Sequence, residues 1–256
     1  MALFNGSVFS KVLPMETGLT VILPGDRLYG TAHEPCKVLY LLHGLTDNHT
    51  AWTRYTSIDR YIREYNVAVV MPEAHHSFYS DEKLGVKFYT YITQELPAIV
   101  ADMFAVSSKP EDTYIAGLSM GGYGALRCML MNPSGYQGCG AFSAMTDMPS
   151  FNSQQNDPFT QRIAKTLFGE NQQMPPDADL FWLAEKNVKE GKALPELYIT
   201  CGKQDFLYQQ NLKFKAHLEK LGVDFTFEDW DGVHEWGFWD SSVKNMIERF
   251  FTVPKR

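Results

Sequence analysis

The chain has 256 residues, 45% apolar and 21% charged, with a formal net charge of −7. That is ample material for one large core, and an acidic chain without a Lys/Arg stripe is a poor match for nucleic acid. No stretch approaches the roughly 18 apolar residues of a membrane span. Met1-Ala2-Leu3-Phe4-Asn5-Gly6 has neither the basic nor the apolar part of a secretion signal. Cys36, Cys128, Cys139 and Cys201 lie apart without C-x-x-C spacing, which predicts free thiols in a reducing cytoplasm. There is no H-E-x-x-H and no Cys/His cluster, so no metal is expected.

In chain order, β-type segments around Gly18 between residues 7 and 23 end at Pro24-Gly25-Asp26 and predict an opening antiparallel hairpin. Lys37-Val38-Leu39-Tyr40-Leu41-Leu42 reads as a buried strand ending at His43-Gly44. Tyr55, Ile58, Ile62 and Tyr65 recur at helical spacing, and Val67-Ala68-Val69-Val70-Met71 is a second buried strand closed by Pro72. A helical region from about Tyr89 to Phe104 should kink or split at Pro97. Further strands are predicted at Thr113-Tyr114-Ile115-Ala116, Gly140-Ala141-Phe142-Ser143, Leu197-Tyr198-Ile199-Thr200-Cys201 and Asp224-Phe225-Thr226-Phe227, with a closing helix from Ser241 to Phe251. Continuous apolar strands alternating with helices imply one α/β domain over residues 1–256, a mostly parallel sheet covered on both faces. Residues 147–192 break this rhythm. They read as a small cap insertion over the C-terminal edge of the sheet, where such folds bind ligands, with Phe151, Phe159, Phe181 and Trp182 as candidate pocket aromatics.

The chemistry concentrates at Gly117-Leu118-Ser119-Met120-Gly121, a G-x-S-x-G between a strand and a helix-prone run, the setting of a nucleophile elbow. Glycines two residues either side of the serine let strand and helix approach closely. The turn presents Ser119 Oγ above the sheet and the Met120 amide at a helix N-terminus.

In the α/β-hydrolase chain order of serine, acid and histidine, only His217 and His234 can be the base. His217 sits on a helix face with Phe214, Leu218 and Leu221 and reads as a packing residue. His234 follows the strand at 224–227 in a loop, and is the expected base. Asp205, soon after the strand at 197–201, is the expected acid; an N-cap role for the following helix is its alternative. His234 would take the Ser119 proton and Asp205 would hold the imidazole tautomer. The Met120 and Leu45 amides would form the oxyanion hole, Leu45 lying in Leu42-His43-Gly44-Leu45-Thr46. His43 is expected beneath that loop as a structural hydrogen-bonder. Trp52, Trp182 and Trp236 are candidate substrate-binding residues.

His43-Gly44-Leu45-Thr46-Asp47-Asn48, the elbow through Leu126, and Gly232-Val233-His234-Glu235-Trp236-Gly237-Phe238-Trp239 resemble the esterase D-like branch of the α/β-hydrolases. Ser77-Phe78-Tyr79 and Tyr89-Thr90-Tyr91-Ile92-Thr93-Gln94-Glu95-Leu96-Pro97 are most similar to bacterial tributyrin esterases. The resemblance runs from about residue 7 to 251. It implies a carboxylesterase for short acyl chains, with a small-molecule ester as partner, no cofactor and assembly as a homo-oligomer. S-formylglutathione hydrolases, a neighbouring group, usually carry His after the elbow glycines and Cys in the first loop; here those places hold Tyr123 and Asp47. Feruloyl or acetyl-sugar ester hydrolysis is an alternative, and a non-catalytic binding protein a remote one. Cys201, near Asp205, could make activity sensitive to bulky thiol reagents.

Overall fold

Apolar runs without alternation need cover on both faces, and the computed structural model shows where it comes from; it describes residues 1–24, 35–104, 106–153 and 157–251. Among these, the strands are β1 (Ala2–Ser10), β2 (Met15–Leu23), β3 (Lys37–Leu42), β4 (Val67–Pro72), β5 (Thr113–Leu118), β6 (Gly138–Phe142), β7 (Glu196–Gly202) and β8 (Thr226–Trp230). They form one eight-stranded sheet in the order β1-β2-β4-β3-β5-β6-β7-β8. β1–β2 and β2–β4 are antiparallel and every other pair is parallel.

Successive residues of a strand face opposite sides. In β3, Val38, Tyr40 and Leu42 enter one core while Leu39 and Leu41 enter the other. The first core lies under α4 (Leu96–Phe104), α5 (Met120–Met131), α8 (Leu180–Lys189) and α9 (Tyr208–Leu221). The second lies under α1 (Ala51–Tyr55), α2 (Ile58–Tyr61) and α10 (Trp236–Phe250), where Trp52, Ile58, Phe238, Val243 and Ile247 are buried.

Several boundaries differ from the sequence expectation for local physical reasons. The hairpin begins at Ala2 and turns at residues 11–14, so Gly18 pairs with Ser7 in mid-strand; of its expected end, Gly25 and Asp26 lie outside the described residues. The turn is clamped by Glu95, which accepts from Ser10 Oγ and from the amide of Lys11 at 2.8 Å. The helical region splits before Pro97, into α3 (Phe88–Thr90), a π-helical turn (Tyr91–Glu95) and α4. Asp229 and Trp230 extend β8, and α10 starts at Trp236 because Glu235 caps it, accepting from the amides of Gly237 and Phe238.

The segment at 147–192, of which 154–156 lie outside the described residues, is not uniform. α6 (Met148–Asn152) reaches the serine, and α7 (Pro158–Phe168) packs on α6. α8 instead packs against α5 and α9, as a sheet-covering helix. No helix among the described residues is long and apolar enough to cross a membrane.

Candidate active site

Ser119 sits between β5 and α5 with φ +52° and ψ −115°, a backbone region that side chains rarely adopt. Three backbone hydrogen bonds hold it there. Its amide donates to Phe142 at 2.9 Å, and its carbonyl accepts from Tyr123 at 3.0 Å and Met145 at 3.2 Å. A Cβ on Gly117 would meet the Gly121 backbone, and one on Gly121 would meet the carbonyls of Leu42 and His43. Both glycines are therefore set by close approach of β5, α5 and the loop after β3.

The structure brings Ser119, His234 and Asp205 into one hydrogen-bonded row at the C-terminal edge of the parallel strands. His234 Nε2 lies 3.0 Å from Ser119 Oγ, and Nδ1 lies 2.8 Å from Asp205 Oδ2. Because a carboxylate only accepts, Nδ1 carries the proton and Nε2 is left to accept from the hydroxyl. Asp205 Oδ1 accepts from the Leu207 amide at 2.8 Å, so the carboxylate also serves the start of α9. Burial raises the Asp205 carboxyl, but hydrogen bonds from His234 and Leu207 outweigh it and hold it below the usual range.

The two loops carrying these residues are laced together. Gln204 donates its amide to the Gly232 carbonyl at 3.0 Å, and its side chain accepts from the Gly232 amide at 2.7 Å. The imidazole sits between rings, with Phe206 centred 4.6 Å away and Trp239 edge-on at 4.8 Å. A hydroxyl bonded to an imidazole that a buried carboxylate orients can be deprotonated as it attacks a carbonyl.

Beside the serine lies a cavity of about 310 Å³ lined by Leu45, Met120, Phe78, Met145, Phe151 and Phe206, with Asp147 and Gln210 among the rest. The Met120 and Leu45 residues named from sequence thus both border Ser119, and Met120 opens α5, where first-turn amides have no intrahelical acceptor. The tryptophans require correction, since none of the three lines this cavity. Trp52 is fully buried, donates to the Leu42 carbonyl and packs edge-on against Phe142 and Trp236. Trp236 fills the space between Trp52, Tyr55 and Trp239, and Trp182 is 40% exposed on α8 beside Lys186. Of the four cap aromatics only Phe151 reaches the cavity; Phe181 packs on Phe214 and His217. Cys201 is buried and its thiol is pushed up to about 12, chiefly by burial, which disfavours the reactive thiolate.

Glu73 is the site residue that sequence reasoning missed; its signal was a carboxylate directly after the apolar strand β4. It is buried below the loop after β3, 3.2 Å from His43 Nε2, and accepts from the amides of Ala74, His75 and His49. His43 Nδ1, 2.7 Å from the Gly44 carbonyl, carries a proton, and Tyr79 donates to the His43 carbonyl at 3.0 Å. Burial raises the Glu73 carboxyl, but His43 and His75 win and lower it to about 2. A depressed carboxyl stabilises the fold above its unfolded value, 4.5, and that contribution is lost as pH falls toward 2. Glu73→Gln should therefore destabilise the fold, and the gap between the two proteins should be smaller near pH 3 than at pH 7. Urea unfolding of both proteins at the two pH values measures this; a constant gap would refute it.

Among the described residues, no group of three His, Cys, Asp or Glu is placed to hold a metal ion.

Comparison with known proteins matches this architecture. The Esterase family model covers residues 10–250. An acetyl esterase of Caldicellulosiruptor saccharolyticus is 31% identical over 97% of both chains. The fluorophosphonate-binding serine hydrolase F of Staphylococcus aureus superposes with a TM-score of 0.90 at 36% identity over 99% of both chains. The S-formylglutathione hydrolase FrmB of the same organism gives 0.86, also at 36% identity, over 97% of this chain and 98% of its own. The chain thus belongs to the esterase family, in the esterase D-like branch of the α/β-hydrolases, and is a carboxylic ester hydrolase.

Proposed function

We propose that the protein hydrolyses short-chain acyl esters of uncharged alcohols through an acyl-enzyme on Ser119. In this reading His234 is the general base and then acid, Asp205 orients it, and the Leu45 and Met120 amides bind the oxyanion. The observation that carries it is the unbroken Ser119–His234–Asp205 row opening onto a cavity of only about 310 Å³. That volume must hold both acyl and alcohol parts, and Phe78, Met145 and Phe151 wall it with apolar surface. A p-nitrophenyl ester series from acetate to palmitate tests the reading. kcat/KM should peak between acetate and butyrate; a peak at long chains would overturn it, and faster turnover of methyl ferulate would favour feruloyl esters.

The likeness to an S-formylglutathione hydrolase supports a second substrate reading, but charge weighs against it. Asp147 is the only charged side chain among the cavity's lining residues. A glutathione thioester would bring carboxylates toward that anion. Asp147→Asn should raise kcat/KM for anionic esters about three- to tenfold, the scale of one charge contact in a partly wet site. Neutral esters should not respond. The α6 cap survives, because Asn can accept from the Ser150 amide as Asp147 does. An equal response of both substrate classes would remove Asp147 from this role.

Assembly as a homo-oligomer has support in the outer edge strand β1, where Leu3, Phe4 and Phe9 are exposed. A reducing, cytoplasmic setting has support in the free, buried thiols of Cys128, Cys139 and Cys201.

A further inference from the structure

A cleft larger than the one at Ser119 lies elsewhere among the described residues. It encloses about 410 Å³ between the π-helical turn, α4 and the C-terminal end of α5, floored by β3 and β5. Asn132 on its rim follows the last residue of α5, whereas Met120 by the serine is the first. The length of that helix, about 18 Å, separates the two sites. Along one wall of the cleft the chain does not run a regular α-helix. The π-helical turn at Tyr91–Glu95 shifts the helical register just before Pro97, and such turns recur at functional sites.

Its lining has a definite chemistry. Tyr40, Tyr89 and Tyr136 present three phenol rings, and Gln94, Asn132 and Ser108 add uncharged polar groups; no Asp, Glu, Lys, Arg or His lines it. Tyr40 rises from β3 and is only 5% exposed, Tyr136 is half-buried, and neither hydroxyl is among the fully buried atoms left without a partner, so both groups line the cleft without being sealed off from it. A ligand that covered these hydroxyls would have to offer them hydrogen-bond partners, because a hydroxyl buried without one is costly. Burial pushes both phenols well above their usual range, so both keep their protons and can donate as well as accept. Tyr89 is held in place by the Arg127 guanidinium over its ring at 4.9 Å.

We propose that this cleft is a second binding site, distinct from the esterase centre, for a neutral polyhydroxylated ligand such as a disaccharide. A charged ligand would be desolvated there without a counter-charge. A purely apolar one would leave the Tyr40 and Tyr136 hydroxyls unmatched. Ring faces with neutral donors and acceptors suit a sugar, and the volume falls within the usual range for small-molecule sites, about 300–1,000 Å³.

Saturation-transfer NMR titrations with xylobiose, cellobiose and maltose test this on the whole protein with Ser119 capped by an organophosphonate. At least one should bind saturably with Kd about 1 mM or tighter. Removing each phenol hydroxyl should weaken it about two- to tenfold, so that Tyr40→Phe with Tyr136→Phe loses the product of the two. kcat/KM for p-nitrophenyl acetate, measured on uncapped protein, should stay unchanged in that double variant. Should the double variant unfold, the exposed Gln94→Ala provides the same comparison. No saturable binding of any of the three, binding indifferent to these substitutions, or binding seen only with Ser119 uncapped would each overturn the proposal.

Discussion

Replacing Ser119 by Ala should lower kcat/KM for p-nitrophenyl butyrate by about 10⁶-fold, the scale found when a nucleophile of this type is removed. Residual hydrolysis would come from binding and oxyanion donors alone. The structure adds a second expectation that activity alone would not show. Ser119 is held at φ +52° by backbone hydrogen bonds to Phe142, Tyr123 and Met145, and strain of this kind costs about 1–3 kcal/mol. Alanine keeps the Cβ and therefore the strain. Glycine relieves it, offset in part by the freedom it gains in the unfolded chain. Ser119→Gly should therefore be as inactive as Ser119→Ala but more stable by about 1 kcal/mol. Paired urea melts and ester assays decide both points. Activity surviving in either variant would mean that another nucleophile acts, and a less stable glycine variant would mean that the turn is not strained.

Asp205→Asn should lower kcat by about 10⁴-fold with little change in KM, because the amide selects the wrong imidazole tautomer. The local geometry dictates which way the amide turns. The Leu207 amide needs an acceptor at 2.8 Å, so the oxygen stays on that side and the NH₂ faces His234 Nδ1. Nδ1 must then accept, Nε2 takes the proton, and the imidazole can no longer accept from Ser119. A pH effect accompanies the loss. The Asp205 carboxyl is held below its ordinary value of 3.8, so its contribution to stability is present above that value and lost as pH falls below it. The variant should consequently show a shallower acid decline of stability than the parent. Retention of more than a tenth of the parental kcat would show that Asp205 does not set the tautomer.

The parts legible in the sequence were those fixed by local physics. G-x-S-x-G between an apolar strand and a helix is a close-approach constraint written in glycines, and the structure shows the contacts that Gly117 and Gly121 avoid. The existence of a mostly parallel sheet follows from continuous apolar runs, which only a sheet covered on both faces can bury. Asp205 and His234 could be named because each follows the end of a strand, and parallel strands deliver all such ends to one edge.

Tertiary packing decided the rest, because it depends on what fills the space beyond a strand's end. Trp52, Trp182 and Trp236 look alike as candidates along the chain; only the packing of α1 against α10 places Trp52 in the interior beside Trp236, while α8 carries Trp182 away from the serine. Glu73 and His43 lie 30 residues apart and meet only because β3 and β4 are parallel neighbours whose C-terminal ends lie side by side. A carboxylate buried by one strand and paired by the next has no signature in spacing, since its partner is set by sheet order. The amino-acid sequence determined which chemistry the chain could carry at its strand ends. The fold determined which of those side chains touch, because contact across a sheet is a matter of packing volume and register.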